Sequence, residues 1–232
     1  MTELDEALYA PSLLEVTTRR LRDEILSGDL APGQRLVEEQ IRQRFAISRA
    51  PLREALRTLA NQGLVEHLPR RGTRVTELST QDVDQLFALR SLLERHAIET
   101  TFPLAGTHDG DPLASVRGHL DQMRRADQIG DDLAKDDAHR AFHAAVVALA
   151  GNRQLDLALE PILLRLQRPM AANLRREAAV LGTAAGIERH ERLLLALESN
   201  DRRRILAELD DHGGRQFLAP ESAPPGLAAL PG

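Results

Sequence analysis

With eight histidines and no cysteine, any transition-metal site in this chain must be built from imidazole and carboxylate. His139 and His143 stand four residues apart, so on one helix they share a face with Cβ atoms about 5 to 6 Å apart, close enough to share an ion. His190 and His212 each lie eleven residues from Asp201, on opposite sides of a Ser-Asn-Asp turn. An antiparallel helix pair folded at that turn brings them to the same height, and four imidazoles can then converge. Neutral imidazole suits a borderline divalent metal, Zn²⁺ or Ni²⁺ ahead of Mn²⁺ or Fe²⁺. Taken singly, each histidine reads as well as a surface residue or a satisfied core residue, so the pairing and the symmetry carry the expectation. His67, His96, His108 and His119 have no partner at ligand spacing.

Arginine forms the second constellation. The chain of 232 residues has a formal charge of −5, which taken whole argues against a nucleic-acid partner. Between Ile41 and Arg74, however, eight arginines face two glutamates, a local charge of +6 that leaves −11 for the remainder. Arginine offers the fork suited to phosphate and guanine. Arg49, Arg53 and Arg57 follow at i, i+4, i+8, and Arg70 and Arg71 sit beside Gly72 in a Pro-Arg-Arg-Gly turn. A solvated helical face would have the same charge, so the flanking elements must decide.

Those elements read as follows. Glu15 to Ser27 carries Val16, Leu21, Ile25 and Leu26 near one helical face and ends at Gly28. After a Pro-Gly turn, Val37 to Phe45 repeats Val37, Ile41 and Phe45 on one face. Ser48 is placed to cap a third helix running to about Asn61, with Pro51 in its first turn and Gly63 beyond its end. Leu52, Ala55, Leu56 and Leu59 face inward, which turns the arginine row outward from the helix N-terminus, as in a recognition helix entering a major groove. LVEHL and TRVTEL then form a β-hairpin wing whose tip offers Arg70 and Arg71 to minor groove or phosphate. The candidate DNA-binding set is Ser48, Arg49, Arg53, Arg57, Arg70 and Arg71, to which the resemblance described below adds Gly72.

From Asp82 onward the apolar spacing is helical throughout. Leu86, Leu89, Leu93 and Ala97 mark one helix, and Leu113 to Met123 a second. Phe142 to Leu149 marks a third, and Leu155 to Leu166 a fourth that gives way to a less regular stretch to about Leu181. Ile187 to Glu198 and Asp201 to Leu218 complete an antiparallel bundle. The fold class is thus mainly α: an N-terminal winged helix-turn-helix over 13–78, three helices plus a β-hairpin, joined to an all-α antiparallel bundle over 82–218. The Pro-, Gly- and Ala-rich tail 219–232 is expected to be disordered. No apolar run approaches the roughly 18 to 20 residues of a membrane span, and the acidic start MTELDE is unlike a secretory signal. A cytoplasmic protein without membrane contact is the expectation.

The segments ILSGDLAPGQRL, AISRAPLREALRTLANQGLVE and RRGTRV resemble the DNA-binding domain of GntR-type transcription regulators. The resemblance implies base or phosphate contacts for Arg49 and Arg53 and a close backbone approach at Gly72. Many relatives carry Thr where this chain has Ala50, which implies a different operator preference at one base. The stretches LFALRSLLE, HRAFHAAVVALAGN and HERLLLALESND, with His212, resemble the FCD effector domain of the FadR subgroup. In metal-containing relatives one Asp and three histidines hold the ion. His143, His190 and His212 match the histidines, while His139 occupies the Asp position. Arg90 matches an arginine facing the effector pocket. The resemblance implies a homodimer on double-stranded operator DNA, regulated by a small organic acid, with no enzymatic activity. Two rival readings remain: a metal-dependent enzyme carrying a DNA-binding module, which has no nucleophile motif such as G-x-S-x-G and only Asp136 and Asp137 near the histidines as bases, and a regulator that senses its ligand without metal.

Overall fold

The computed structural model describes residues 12–104, 110–182 and 184–212. The tail 219–232, His108 and any continuation of the last helix beyond His212 lie outside them. Helix α1 (Leu13–Ser27) opens with a complete capping box between Ser12 and Glu15 and stops at Gly28, whose φ of 96° only glycine adopts cheaply. Strand β1 (Arg35–Leu36) leads into α2 (Glu38–Phe45), and α3 spans Arg49–Asn61. Strands β2 (Val65–Leu68) and β3 (Gly72–Val75) pair antiparallel, with Glu66 opposite Arg74 and His67 opposite Thr73. β1 adds to the far side of β3, giving the order β1-β3-β2. That third strand was not foreseen, because two residues carry no alternation to detect. Leu21, Ile25, Leu36, Ile41, Leu52, Leu56, Leu59, Leu64, Val65 and Val75 close the core of this unit. Val16, expected to face inward, is 44% exposed; Thr17 and Thr18 take the buried positions instead.

The rest is helical: α4 (Thr80–Thr101), α5 (Ala114–Ile129), α6 (Asp132–Ala148), α7 (Arg153–Leu181), α8 (Ala185–Glu198) and α9 (Arg202–His212). A second capping box, Ser79 with Asp82, starts α4. Ile98, Val116, Leu120, Phe142, Val146, Leu193, Leu197 and Ile205, from five of these helices, form one core. Two expectations need correction. On α4 the buried face runs through Val83, Leu86, Phe87, Arg90, Glu94, Ala97 and Ile98, while Leu89 is 48% exposed: a charged pair holds inward positions that the apolar pattern gave to leucine. The stretch after Leu166 is not irregular either. α7 continues for 29 residues with Pro161 and Pro169 inside it, its buried stripe passing through Gln167, Met170, Asn173 and Glu177. α7 also joins the two halves, since Leu164 belongs to the core of the N-terminal unit while Leu166 and Met170 pack on Val83, Leu86 and Phe87.

Candidate metal centre and nucleic-acid interface

α6 carries His139 and His143 on its inner face, α8 contributes His190 and the last turn of α9 His212. All four are buried, His143 completely. The His139 ring centroid lies 4.8 Å from those of both His143 and His190, and that of His212 lies 4.4 Å from His190. The turn at Asn200 and Asp201 thus brings together two residues 22 positions apart. One ring nitrogen from each of His139, His143 and His190 falls within a 4.8 Å span. His143 Nε2 lies 3.2 Å from His190 Nε2 and 3.3 Å from His212 Nε2.

The outer nitrogens show which protons these rings carry. His190 Nδ1 lies 2.6 Å from the Gly186 carbonyl oxygen, which can only accept, so Nδ1 holds the proton and Nε2 is bare. His143 Nδ1 lies 2.9 Å from Glu94 Oε1, an ion-pair contact and not an aligned hydrogen bond, and this too favours the proton on Nδ1. Burial disfavours a second proton on any of them. It drives His139, His143 and His212 well below the ordinary histidine range and His190 down to about 3, and the Arg90 and Arg189 guanidiniums push the same way. Bare nitrogens facing one another at this distance repel unless a cation lies among them. A tetrahedral ion about 2.0 to 2.1 Å from each nitrogen needs a separation of roughly 3.3 to 3.4 Å between ligands, close to what is found. The donor set therefore fits a metal, with Gly186 and Glu94 orienting two of the rings from behind.

Sequence reasoning missed those orienting groups. Glu94 accepts from Arg90 Nε at 2.8 Å, and both side chains are almost fully buried. Arg90, matched to an effector-facing arginine, is thus already engaged by a carboxylate. A second buried pair joins Glu177 of α7 to Arg189, the residue beside His190. Spacing offered one signal, since Arg90 and Glu94 are i, i+4 on the same face as Leu86 and Ala97. Asp136, one of the two acids near the histidines in sequence, lines a cavity of about 50 Å³ with His139, His190, Lys135 and Arg175; burial pushes its carboxyl up to about 6. Asp137 instead accepts from Gln167 Nε2 at 2.8 Å.

On the N-terminal unit, Ser48, Arg49, Arg53, Arg57, Arg70, Arg71 and Gly72 are all exposed. Ser48 takes the N-cap position with extended backbone, but its hydroxyl makes no capping bond. Arg53 Nε reaches Glu38 at 3.3 Å and Arg57 reaches Glu54 at 3.3 Å, both loose surface pairs that a phosphate can displace. At the wing tip the Arg71 N–H donates to the Leu68 carbonyl at 3.0 Å, closing a turn through Pro69 and Arg70. Arg70 sits there at φ 61°, a conformation normally left to glycine or asparagine. A long cationic side chain is held where the backbone alone would favour none.

Residues 14–75 match the family of bacterial regulatory proteins described as gntR, and residues 85–215 match the FCD domain. The HTH-type transcriptional regulator YdhC of Bacillus subtilis is 32% identical over 144 residues, 62% of this chain and 63% of its own length. The match thus spans just under two thirds of that relative. A protein of Paenarthrobacter nicotinovorans named "Probable D-xylose utilization operon transcriptional repressor" is 32% identical over 196 residues, 84% of this chain and 81% of its own. Among solved structures, a GntR transcriptional regulator of Rhodococcus sp. RHA1 shares the fold at a TM-score of 0.74 and 23% identity, covering 90% of this chain and 98% of that one. Among the described residues no helix is long and apolar enough to cross a membrane. The two matches in this order, the second covering more than half of the residues, place the chain in the GntR family of bacterial regulatory proteins, with an FCD domain as its helical half.

Proposed function

We propose that the chain is a DNA-binding transcription regulator whose operator affinity is set by a small carboxylate held in a metal-containing helical domain. The observation that carries this reading is the division of labour on one chain: an exposed guanidinium row on α3 beside a strained cationic wing tip, and four buried neutral imidazoles with converging nitrogens in the other half. In this reading residues 13–78 form the DNA-binding domain and 82–218 the effector and dimerisation domain. Arg49, Arg53 and Arg57 enter the major groove from the N-terminus of α3, and Arg70 and Arg71, with the backbone at Gly72, meet the adjoining minor groove or phosphates. His139, His143, His190 and His212 hold a divalent ion, Zn²⁺ or Ni²⁺ by the all-nitrogen donor set. When bound, that ion supplies the positive charge that draws a carboxylate into the buried site. Glu94 and the Gly186 carbonyl orient two of the imidazoles, and Arg90 balances Glu94. Leu89 and Leu92 of α4, both about half exposed or more, offer an apolar strip for a second copy of the chain, consistent with a cytoplasmic homodimer reading a pseudo-palindrome.

Metal analysis of the purified protein tests the site: one bound ion per chain is expected in the wild type, with loss in His143→Ala and His190→Ala. Effector binding without any metal in the wild type would favour the metal-free sensor instead. Turnover of a carboxylate abolished by His143→Ala would favour an enzyme.

A further inference from the structure

A cavity of about 420 Å³ lies where α7 meets the N-terminal unit, well within the size range of small-molecule sites. Its inner wall is apolar, formed by Leu26, Leu64, Val75 and Leu164. Its α7 side carries Arg165 and Arg168, with Arg175 two turns further on. Arg165 Nε and Arg168 Nη1 are buried with no hydrogen-bond partner. Among the described residues neither guanidinium has a carboxylate within ion-pair distance, although the charge of Arg165 reaches the Asp82 carboxylate at the start of α4 and helps to lower its pKa. Arg42, Arg140 and Arg189 also bury an Nε without a hydrogen-bond partner, but each of these has a carboxylate within ion-pair distance. Burial lowers the affinity of Arg168 for its proton, and Arg175 adds to the effect. The acid on the cavity wall, Glu77, does not answer the arginines: its Oε2 lies over the turn at Gly33, 3.0 Å from where a Cβ would stand.

The carbonyl ends of α1 and α3 explain why cations are tolerated here. Arg168 Nη2 lies 3.5 Å from the Cβ position of Gly28, and the Arg165 side chain lies so close over Gly63 that a Cβ would meet its Cδ at 2.7 Å. They do not explain the nitrogens that lack an acceptor. Both side chains are half-buried, but a guanidinium nitrogen shut away from water without an acceptor still costs stability, and a fold retains such a cost readily where a ligand removes it. We infer that this cavity is a second ligand site, separate from the histidine cluster, that takes an amphipathic anion: a carboxylate or phosphate monoester head between Arg165 and Arg168 and an aliphatic body against Leu64, Val75 and Leu164. Such a ligand ties α7 to the C-terminal ends of α1 and α3.

Titration calorimetry on the full chain, with octanoate and octyl phosphate as probes, tests this and separates the two head groups. At least one probe saturates the wild type, and binding weakens by about tenfold or more in Arg168→Gln, as loss of a charge-assisted bond requires. His190→Ala binds like the wild type; where that variant does not fold, His139→Asn serves as the control. Arg168→Gln melts close to the wild-type temperature, because the half-buried side chain has no carboxylate partner to lose. The inference is overturned if neither probe saturates by about 10 mM, if Arg168→Gln binds unchanged, if the histidine variant alone abolishes binding, or if Arg168→Gln melts clearly below the wild type.

Discussion

The two halves of the chain use polar side chains in opposite ways. In the N-terminal unit the candidate DNA-contacting charges stand outside a core that buries threonines but no charged side chain, and Arg53 keeps 68% of its side chain exposed. In the helical half they stand inside, where His143, Glu94, Arg90, Glu177 and Arg189 are nearly or wholly buried. Outside the core a charged residue is almost free of structural obligation. Inside it, each polar atom needs a partner, so site and fold stabilise one another and fail together.

Acidification draws this contrast most strongly. The folded-state affinity of the buried imidazoles for protons is depressed, so between about pH 6.5 and the much lower folded values the unfolded chain binds more protons, and stability falls as pH falls. By pH 5 each imidazole kept neutral costs about 2 kcal/mol relative to pH 7 in metal-free protein. Hydrogen exchange is expected to show α6 and α8 losing protection with acid ahead of α3. Equal loss in both halves would erase the distinction. Removing one charge from the buried set comes next. Glu94→Ala leaves Arg90 without its carboxylate and is expected to cost about 3 to 5 kcal/mol in denaturant unfolding, with metal content falling as His143 loses its orienting group.

The exposed set should respond the other way round. Arg53→Ala is expected to leave stability within about 0.5 kcal/mol while weakening operator binding by about 1 to 3 kcal/mol if it pairs with guanine. A loss that is equal on all sequences in fluorescence anisotropy would make it a phosphate contact. The smallest and most telling change is Arg70→Gly. Relief of the positive φ should raise stability by about 1 kcal/mol, while DNA affinity drops and its salt dependence becomes shallower. A variant both less stable and equally good at binding DNA would show that the tip is structural.

The same division explains what could be read from the residues alone. The inward leucines of α3, the glycines at 28 and 63 and the Pro-containing wing turn follow local rules, and the three N-terminal helices appear within a residue or two of their expected ends, while the second wing strand stops at Val75, three residues before the expected Leu78. The histidine cluster was legible because its spacing is a helical period on α6 and a mirror about Asp201 across α8 and α9. Glu94, Glu177 and Arg189 were not, since a lone charge in an amphipathic helix ordinarily faces water and only a partner from another element shows otherwise. α7 failed for a related reason: Pro169, Asn173 and Glu177 break the apolar stripe in sequence while the helix itself continues.

That continuity has a mechanical side. At 1.5 Å per residue, the thirteen positions between Leu164 and Glu177 span about 20 Å of α7, so a sideways displacement of about 1 Å at Glu177 tilts a stiff rod by about 3° at Leu164. Pro169 lies between the two and removes one backbone bond from the rod at that point. The helix that completes the core of the N-terminal unit therefore also reaches the shell around the imidazoles, and partway along it one backbone hydrogen bond is absent.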